Sequence, residues 1–214
     1  MNKVKAILFF KENPFVITFV FVISLFLWKF IILRESFLLG DYSVQHIPWS
    51  KFLADSLASL SLPLWTPYMH SGFPLLAEGQ IGALYPPNLI MYFFFPYKIA
   101  YTYNILLHFV LAGIFMYIYV REIGMSKTAA TIAVIAFLFG SGYGGCFYSI
   151  MSLKVLVWFP LVLFLTEKLF KKEELLYGIL IGVIISVQIL AGYLQFALYS
   201  IIFSTLYFVV HLYF

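Results

Sequence analysis

From Leu175 to Phe214 the chain runs for 40 residues without one Asp, Glu, Lys or Arg. A helix rises about 1.5 Å per residue, so about 20 apolar residues cross the roughly 30 Å hydrocarbon core of a bilayer. Forty are twice what one crossing needs, so the run must break. The natural place is "GYLQ", Gly192 to Gln195, which divides it into two transmembrane helices. The remainder has the same texture. The chain is 64% hydrophobic and 10% charged, whereas a soluble domain has about 25% charged residues. Its polar surface is too small for water, so lipid must be its solvent. The expected fold is an all-α polytopic membrane protein forming one transmembrane domain over residues 1–214. It has about six transmembrane helices and a long first extracytoplasmic loop carrying short interfacial helices.

The other spans follow from the same argument. An N-terminal stretch with lysines precedes an apolar run, Phe15 to Leu33, which is longer than a signal-peptide core and lacks a small-x-small cleavage pattern. It reads as an uncleaved first span. Further spans are expected over Ile99–Val120, Thr128–Tyr143 and Leu153–Phe170. With the N-terminus inside, the inner segments carry Lys3, Lys5, Lys11, Arg121, Lys127, Lys168, Lys171 and Lys172. The outer side carries Lys29, Arg34, Lys51, Lys98 and Lys154. This excess of inner cations obeys the positive-inside rule. It also accounts for the net charge of +4 without nucleic acid, so the expected partner is the bilayer. The lone Cys146 permits neither an internal disulfide nor a cysteine metal cage.

Residues 34–98 therefore form the extracytoplasmic loop. Seven of the nine prolines fall within it, and proline blocks helix interiors. One short helix is still expected. Trp49, Phe52, Leu53, Leu57 and Leu60 recur at helical spacing, opposite Lys51, Asp55 and Ser59, the pattern of a helix lying in the membrane interface. "YPPNLIMYFFFP", Tyr85 to Pro96, is too short to span and reads as a second interfacial or re-entrant segment. The chain ends at "VVHLYF", inside an apolar run with no charged anchor. That reads as the N-terminal part of a longer protein.

Groups able to do chemistry are few. Asp41 lies about eight residues beyond the first span. A carboxylate there can act as a general base, hold a divalent cation such as Mg or Mn, or cap a helix beginning near Tyr42. Gln45 shares a helical face with Asp41, and His46 is adjacent. Both are polar groups suited to binding hydroxyls or phosphate, or to an ordinary membrane interface. Between Leu62 and Asn88, Trp65, Tyr68, Phe73 and Tyr85 supply flat faces, and His70, Glu78, Gln80 and Asn88 supply polar contacts. Such a surface binds sugars or rests among lipid headgroups. In the spans, Asn104, His108, Gln188 and Gln195 are either functional or bonds between helices. Lys171, Lys172, Glu173 and Glu174 read as a solvated inner turn. No phosphate loop, dinucleotide fingerprint or nucleophile elbow is present.

The order "GDYSVQHIP", "LPLWTPYMHSGFPLLAEGQIGALYPPN", "VWFPLVLF", "AGYLQFALY" resembles the YfhO-type bacterial membrane proteins of the GT-C glycosyltransferase class, over nearly the whole chain. The resemblance implies a multi-pass protein of the bacterial cytoplasmic membrane, N-terminus cytoplasmic. It implies transfer of a sugar from a polyprenyl-phosphate-linked donor to a cell-envelope acceptor at the extracytoplasmic face, with inversion at the sugar carbon. It puts Asp41 in the place of the essential acid of the first outer loop, as catalytic base or metal ligand. Substrate contacts then come from Gln45, His46, Trp65, Tyr68, His70, Glu78, Gln80, Tyr85 and Asn88. The chain is shorter than its family, so half a site is expected. Two rival readings are a lipid or saccharide transporter, motivated by the break at "GYLQ", and a non-catalytic fragment.

Overall fold

The computed structural model describes residues 42–69, 71–140 and 150–213. The expected first span, Asp41, His70 and Cys146 lie outside the described residues. Regular structure in the described residues is helical, apart from one antiparallel bridge between Thr66 and Phe73. A π-helical turn, Tyr42–His46, leads into α1, Ile47–Ala58. Pro48 occupies the first turn of α1, where its missing N–H costs no hydrogen bond. Two short helices follow, α2 (Leu75–Glu78) and α3 (Pro86–Phe94). Then come α4 (Tyr97–Glu122), α5 (Lys127–Phe139), α6 (Ile150–Leu156), α7 (Phe159–Lys172), α8 (Leu175–Leu190) and α9 (Leu194–Tyr213).

α4, the continuous α6–α7 stretch Ile150–Lys172 and α9 are each long and apolar enough to cross a membrane. α5 and α8 are apolar but shorter, at 13 and 16 residues. At about 1.5 Å per residue they measure roughly 20 and 24 Å. The expected run Thr128–Tyr143 is thus helical only as far as Phe139 within the described residues. α8 and α9 separate at Ala191–Tyr193, at the predicted break.

The packing is inverted relative to a soluble protein. The buried residue of α8 is Gln188, and those of α9 are Ala197, Ser200 and Ser204. Outward these helices present Ile179, Val183, Leu198, Phe203, Leu206 and Val210. Small and polar groups let helices approach and bond, and large apolar ones on the outside are the arrangement that suits an apolar solvent. Gln188 shows the use of such a group. Its Nε2 donates to the Val155 carbonyl (3.1 Å) and to Ser200 Oγ (2.8 Å), joining α8 to α6 and α9. Gln195 is exposed and donates to the Tyr199 hydroxyl one turn on.

The helices alternate in direction, so one end of the bundle carries the loop of residues 60–96 and the other carries charge. At the charged end Glu122 pairs with Lys168 (2.7 Å) and Lys171 (3.1 Å). Glu167, nearly buried, accepts from Tyr207 and from His211 at 2.6 Å. Lys171 is therefore part of an ionic staple between α4 and α7 as well as of a solvated turn. Lys154 corrects the sequence reading more sharply. Counted among the outer-side charges at the start of the expected span Leu153–Phe170, it lies in α6 at 0% exposure, because its apolar neighbours carry the helix into the bundle. Its Nζ has no hydrogen-bond partner among the described residues.

Candidate functional site

The loop is a fixed body rather than a free excursion. Its first part is a tight hairpin in which the N–H groups of Thr66 and Phe73 each bond the other's carbonyl at 2.8 Å. The turn requires Gly72: its φ is +120°, and a Cβ there would lie 2.4 Å from the Trp65 ring. α1 ends at Ala58, two residues before Leu60. Leu60 has left-handed backbone (φ 51°) and turns its side chain outward. It is thus not on the buried face of α1, contrary to the spacing argument. That face is made by Trp49, Leu53 and Ala54.

The second part of the loop descends into the bundle. Residues 79–82 meet the turn between α8 and α9 backbone to backbone. A Cβ on Gly192 (φ +101°) would stand 2.1 Å from the Gly79 carbonyl oxygen, so only glycine permits the approach. Asn88 is fully buried. Its Nδ2 donates to the Ile81 and Gly82 carbonyls (3.0 and 2.8 Å), and its Oδ1 accepts from Asn104 Nδ2 of α4 (2.8 Å). Tyr85 is also fully buried. Its hydroxyl lies 2.7 Å from His108 Nε2 and accepts from Trp158 Nε1 at 2.9 Å.

The hydrogen placements follow from chemistry. His108 Nδ1 is 2.6 Å from the Asn104 carbonyl, and a carbonyl can only accept. In the neutral ring Nδ1 therefore carries the hydrogen, and Nε2 accepts from Tyr85. Burial pushes the Tyr85 hydroxyl well above the ordinary tyrosine range, so it stays a donor. Its one proton goes to His108, which leaves the Lys154 carbonyl at 3.3 Å a longer second choice. Asn104 and His108 thus hold the loop.

Beside the hairpin, against α1, lies a cleft of ≈ 540 Å³. Its walls include Lys51, Phe52, Asp55, Thr66, Tyr68 and Met69. Trp49, 4% exposed, makes a rigid floor: Nε1 donates to Met69 Sδ (2.7 Å) and the ring stacks on Phe73 with centroids 6.1 Å apart. Phe52 and Tyr68 meet edge to face at 6.2 Å, and Tyr68 remains 83% exposed. Lys51 Nζ bonds both Asp55 carboxylate oxygens, at 2.9 and 2.7 Å, with both side chains more than half exposed.

The residues expected to bind substrate thus separate into groups. Tyr85 and Asn88 are the buried clamp, with no surface open to a ligand. Tyr68 lines the cleft, and Trp65 stands half exposed at the neighbouring hairpin. Glu78 and Gln80 sit half buried between the two, with the Gln80 N–H donating to Glu78 Oε2 at 2.9 Å. Burial raises the Glu78 carboxyl above its ordinary value, against the lowering by that bond. Gln45 is half buried and His46 buried at 3% where the π turn enters α1. The cleft residues Lys51, Asp55, Thr66 and Met69 were not foreseen. The signal was the polar face of α1, read above only as the solvated side of an interfacial helix.

No protein-family model, curated protein or solved structure matches this chain. Its chemistry must be argued from its own residues. Among the described residues no three His, Cys, Asp or Glu side chains converge as metal ligands, and the candidate ligand Asp41 lies outside those residues.

Proposed function

We propose that the chain belongs to a membrane glycosyltransferase that moves a sugar from a polyprenyl-phosphate-linked donor to a cell-envelope acceptor. The reaction takes place at the extracytoplasmic face of the bacterial cytoplasmic membrane. In this reading the chain crosses about six times, N-terminus inside. The grouping of Arg121, Lys127, Lys168, Lys171 and Lys172 at the helix ends away from the loop supports that orientation. The observation that carries the reading is the loop itself. It is clamped onto the bundle by Tyr85, Asn88 and Gly192, and it holds an aromatic cleft open beside α1. A lipid-borne sugar needs a rigid site with both apolar and polar walls at the end of a membrane domain, and the clamped loop with its cleft supports that reading.

Asp41 is the proposed base. Its carboxylate takes the proton of the acceptor hydroxyl, whose oxygen bonds to the sugar carbon as that carbon's bond to the phosphate oxygen breaks. The phosphate leaves with the electron pair. The test is transfer of radiolabelled sugar in membrane vesicles. Asp41→Ala is expected to lower transfer about 100-fold or more with an unchanged amount of protein in the membrane. Near-normal transfer by that variant would overturn the assignment. Two contacts favour this reading over a transporter: the backbone of residues 79–82 packs against Gly192 at the break, and Gln188 bonds Val155 and Ser200 of neighbouring helices.

A further inference from the structure

We propose that the cleft beside α1 binds an uncharged saccharide ring and leaves the phosphate of the donor to another part of the molecule. The inference names which part of the substrate the cleft takes, and so rests on the glycosyl-transfer reading. Its grounds are local. Lys51 and Asp55, one helical turn apart on α1, are the cleft's charged groups and neutralise each other. A phosphate entering would be repelled by Asp55 as much as it is drawn by Lys51. The pair is still not saturated. An ammonium has three donors and a carboxylate about four acceptor positions, and their mutual bonds use two of each. One donor and about two acceptors remain in a partly exposed position. Neighbouring sugar hydroxyls, each both donor and acceptor, can bond to them, whereas an anion can use only the donor.

The aromatic part agrees. The C–H face of a sugar ring is apolar and packs flat on an aromatic ring. Tyr68 offers an open ring, held by its edge contact with Phe52, while the Trp49 ring is covered by Phe73 and cannot compete. The volume of ≈ 540 Å³ falls within the roughly 300–1,000 Å³ of small-molecule sites. No residue of the Tyr85–His108 clamp lines the cleft, so it can be altered without loosening the loop.

The test uses the full chain in lipid nanodiscs. Methyl glucoside, methyl galactoside, methyl mannoside and N-acetylglucosamine are titrated by ligand-observed NMR, with inorganic phosphate as competitor. At least one sugar is expected to bind saturably and to resist phosphate. Asp55→Ala is expected to weaken it about tenfold through loss of a charge-assisted acceptor. Tyr68→Ala is expected to weaken it about threefold through loss of one contact face. Both sites are exposed, so the melting temperature should hold. Asp55→Ala also unmasks Lys51, and should make the cleft bind the phosphate it ignored before. Absence of binding by every sugar, binding unaltered in both variants, or displacement of sugar by phosphate in the wild type would each overturn the proposal. Failure of the two readings is distinguishable. Sugar binding without any transfer by the wild type sinks glycosyl transfer alone. Transfer that survives Asp55→Ala at full rate, with no sugar bound, sinks the cleft alone.

Discussion

Replacing Tyr85 by phenylalanine tests whether the loop is clamped as described. The substitution keeps the ring and removes one oxygen. That oxygen accepts from Trp158 Nε1 at 2.9 Å and donates to His108 Nε2 at 2.7 Å, in a site with no exposure. One buried group, His108 Nε2, and one half-buried group, Trp158 Nε1, lose their Tyr85 partner. A stranded buried group costs about 1–3 kcal/mol in water-soluble proteins, whereas bonds between membrane helices average about 0.6 kcal/mol. Two groups at the boundary between these regimes give about 2 kcal/mol. Unfolding by SDS in mixed micelles should record that loss. If the cost falls on loop docking, proteolysis within residues 60–84 should accelerate about 30-fold, since about 1.4 kcal/mol is tenfold in population. Tyr199→Phe is the control. It removes an exposed hydroxyl bonded to Gln195 and should cost less than about 0.5 kcal/mol. A Tyr85→Phe variant as stable and as protease-resistant as Tyr199→Phe would refute the clamp.

Gly192→Ala places a Cβ 2.1 Å from the Gly79 oxygen at a φ of +101°. It should destabilise by about 2 kcal/mol or more and speed cleavage of the same loop. Gly178→Ala, whose Cβ meets nothing within 4 Å, should be neutral or stabilising by up to about 1 kcal/mol. Glu78 predicts a pH effect. Burial raises its carboxyl pKa above the ordinary 4.5, so the folded state binds its proton more readily than the unfolded chain. The charged form is then a penalty, fully present above the folded pKa and relieved as pH falls toward the unfolded value. Glu78→Gln should melt higher than wild type at pH 7, and the gap should close as pH approaches about 4. A gap that widens on acidification would reverse the sign and the cause.

Much of the helical layout was legible because the length and apolar character of a run are local properties. An apolar run of sufficient length needs no knowledge of its neighbours to become a helix, so α4, the α6–α7 stretch and α9 could be placed from residue type alone. The break before Leu194 was legible for the same reason, since no single helix of 40 residues fits one crossing. What each polar group does was not legible, because it depends on partners distant in sequence. Tyr85 meets Trp158 73 residues on, and Gln188 reaches back 33 residues to Val155. Tyr85 and Asn88 looked like surface contacts in an aromatic loop, and Lys154 like an outer-side charge at the start of a span. Tertiary packing put all three inside. It also turned the polar face of α1 toward the hairpin of Thr66 and Phe73, making a walled cleft of what helical spacing alone describes as a solvated side. Periodicity decides which side of a helix is polar. The cleft exists because a proline- and glycine-shaped loop, bonded into the bundle at its far end, cannot move away from that side.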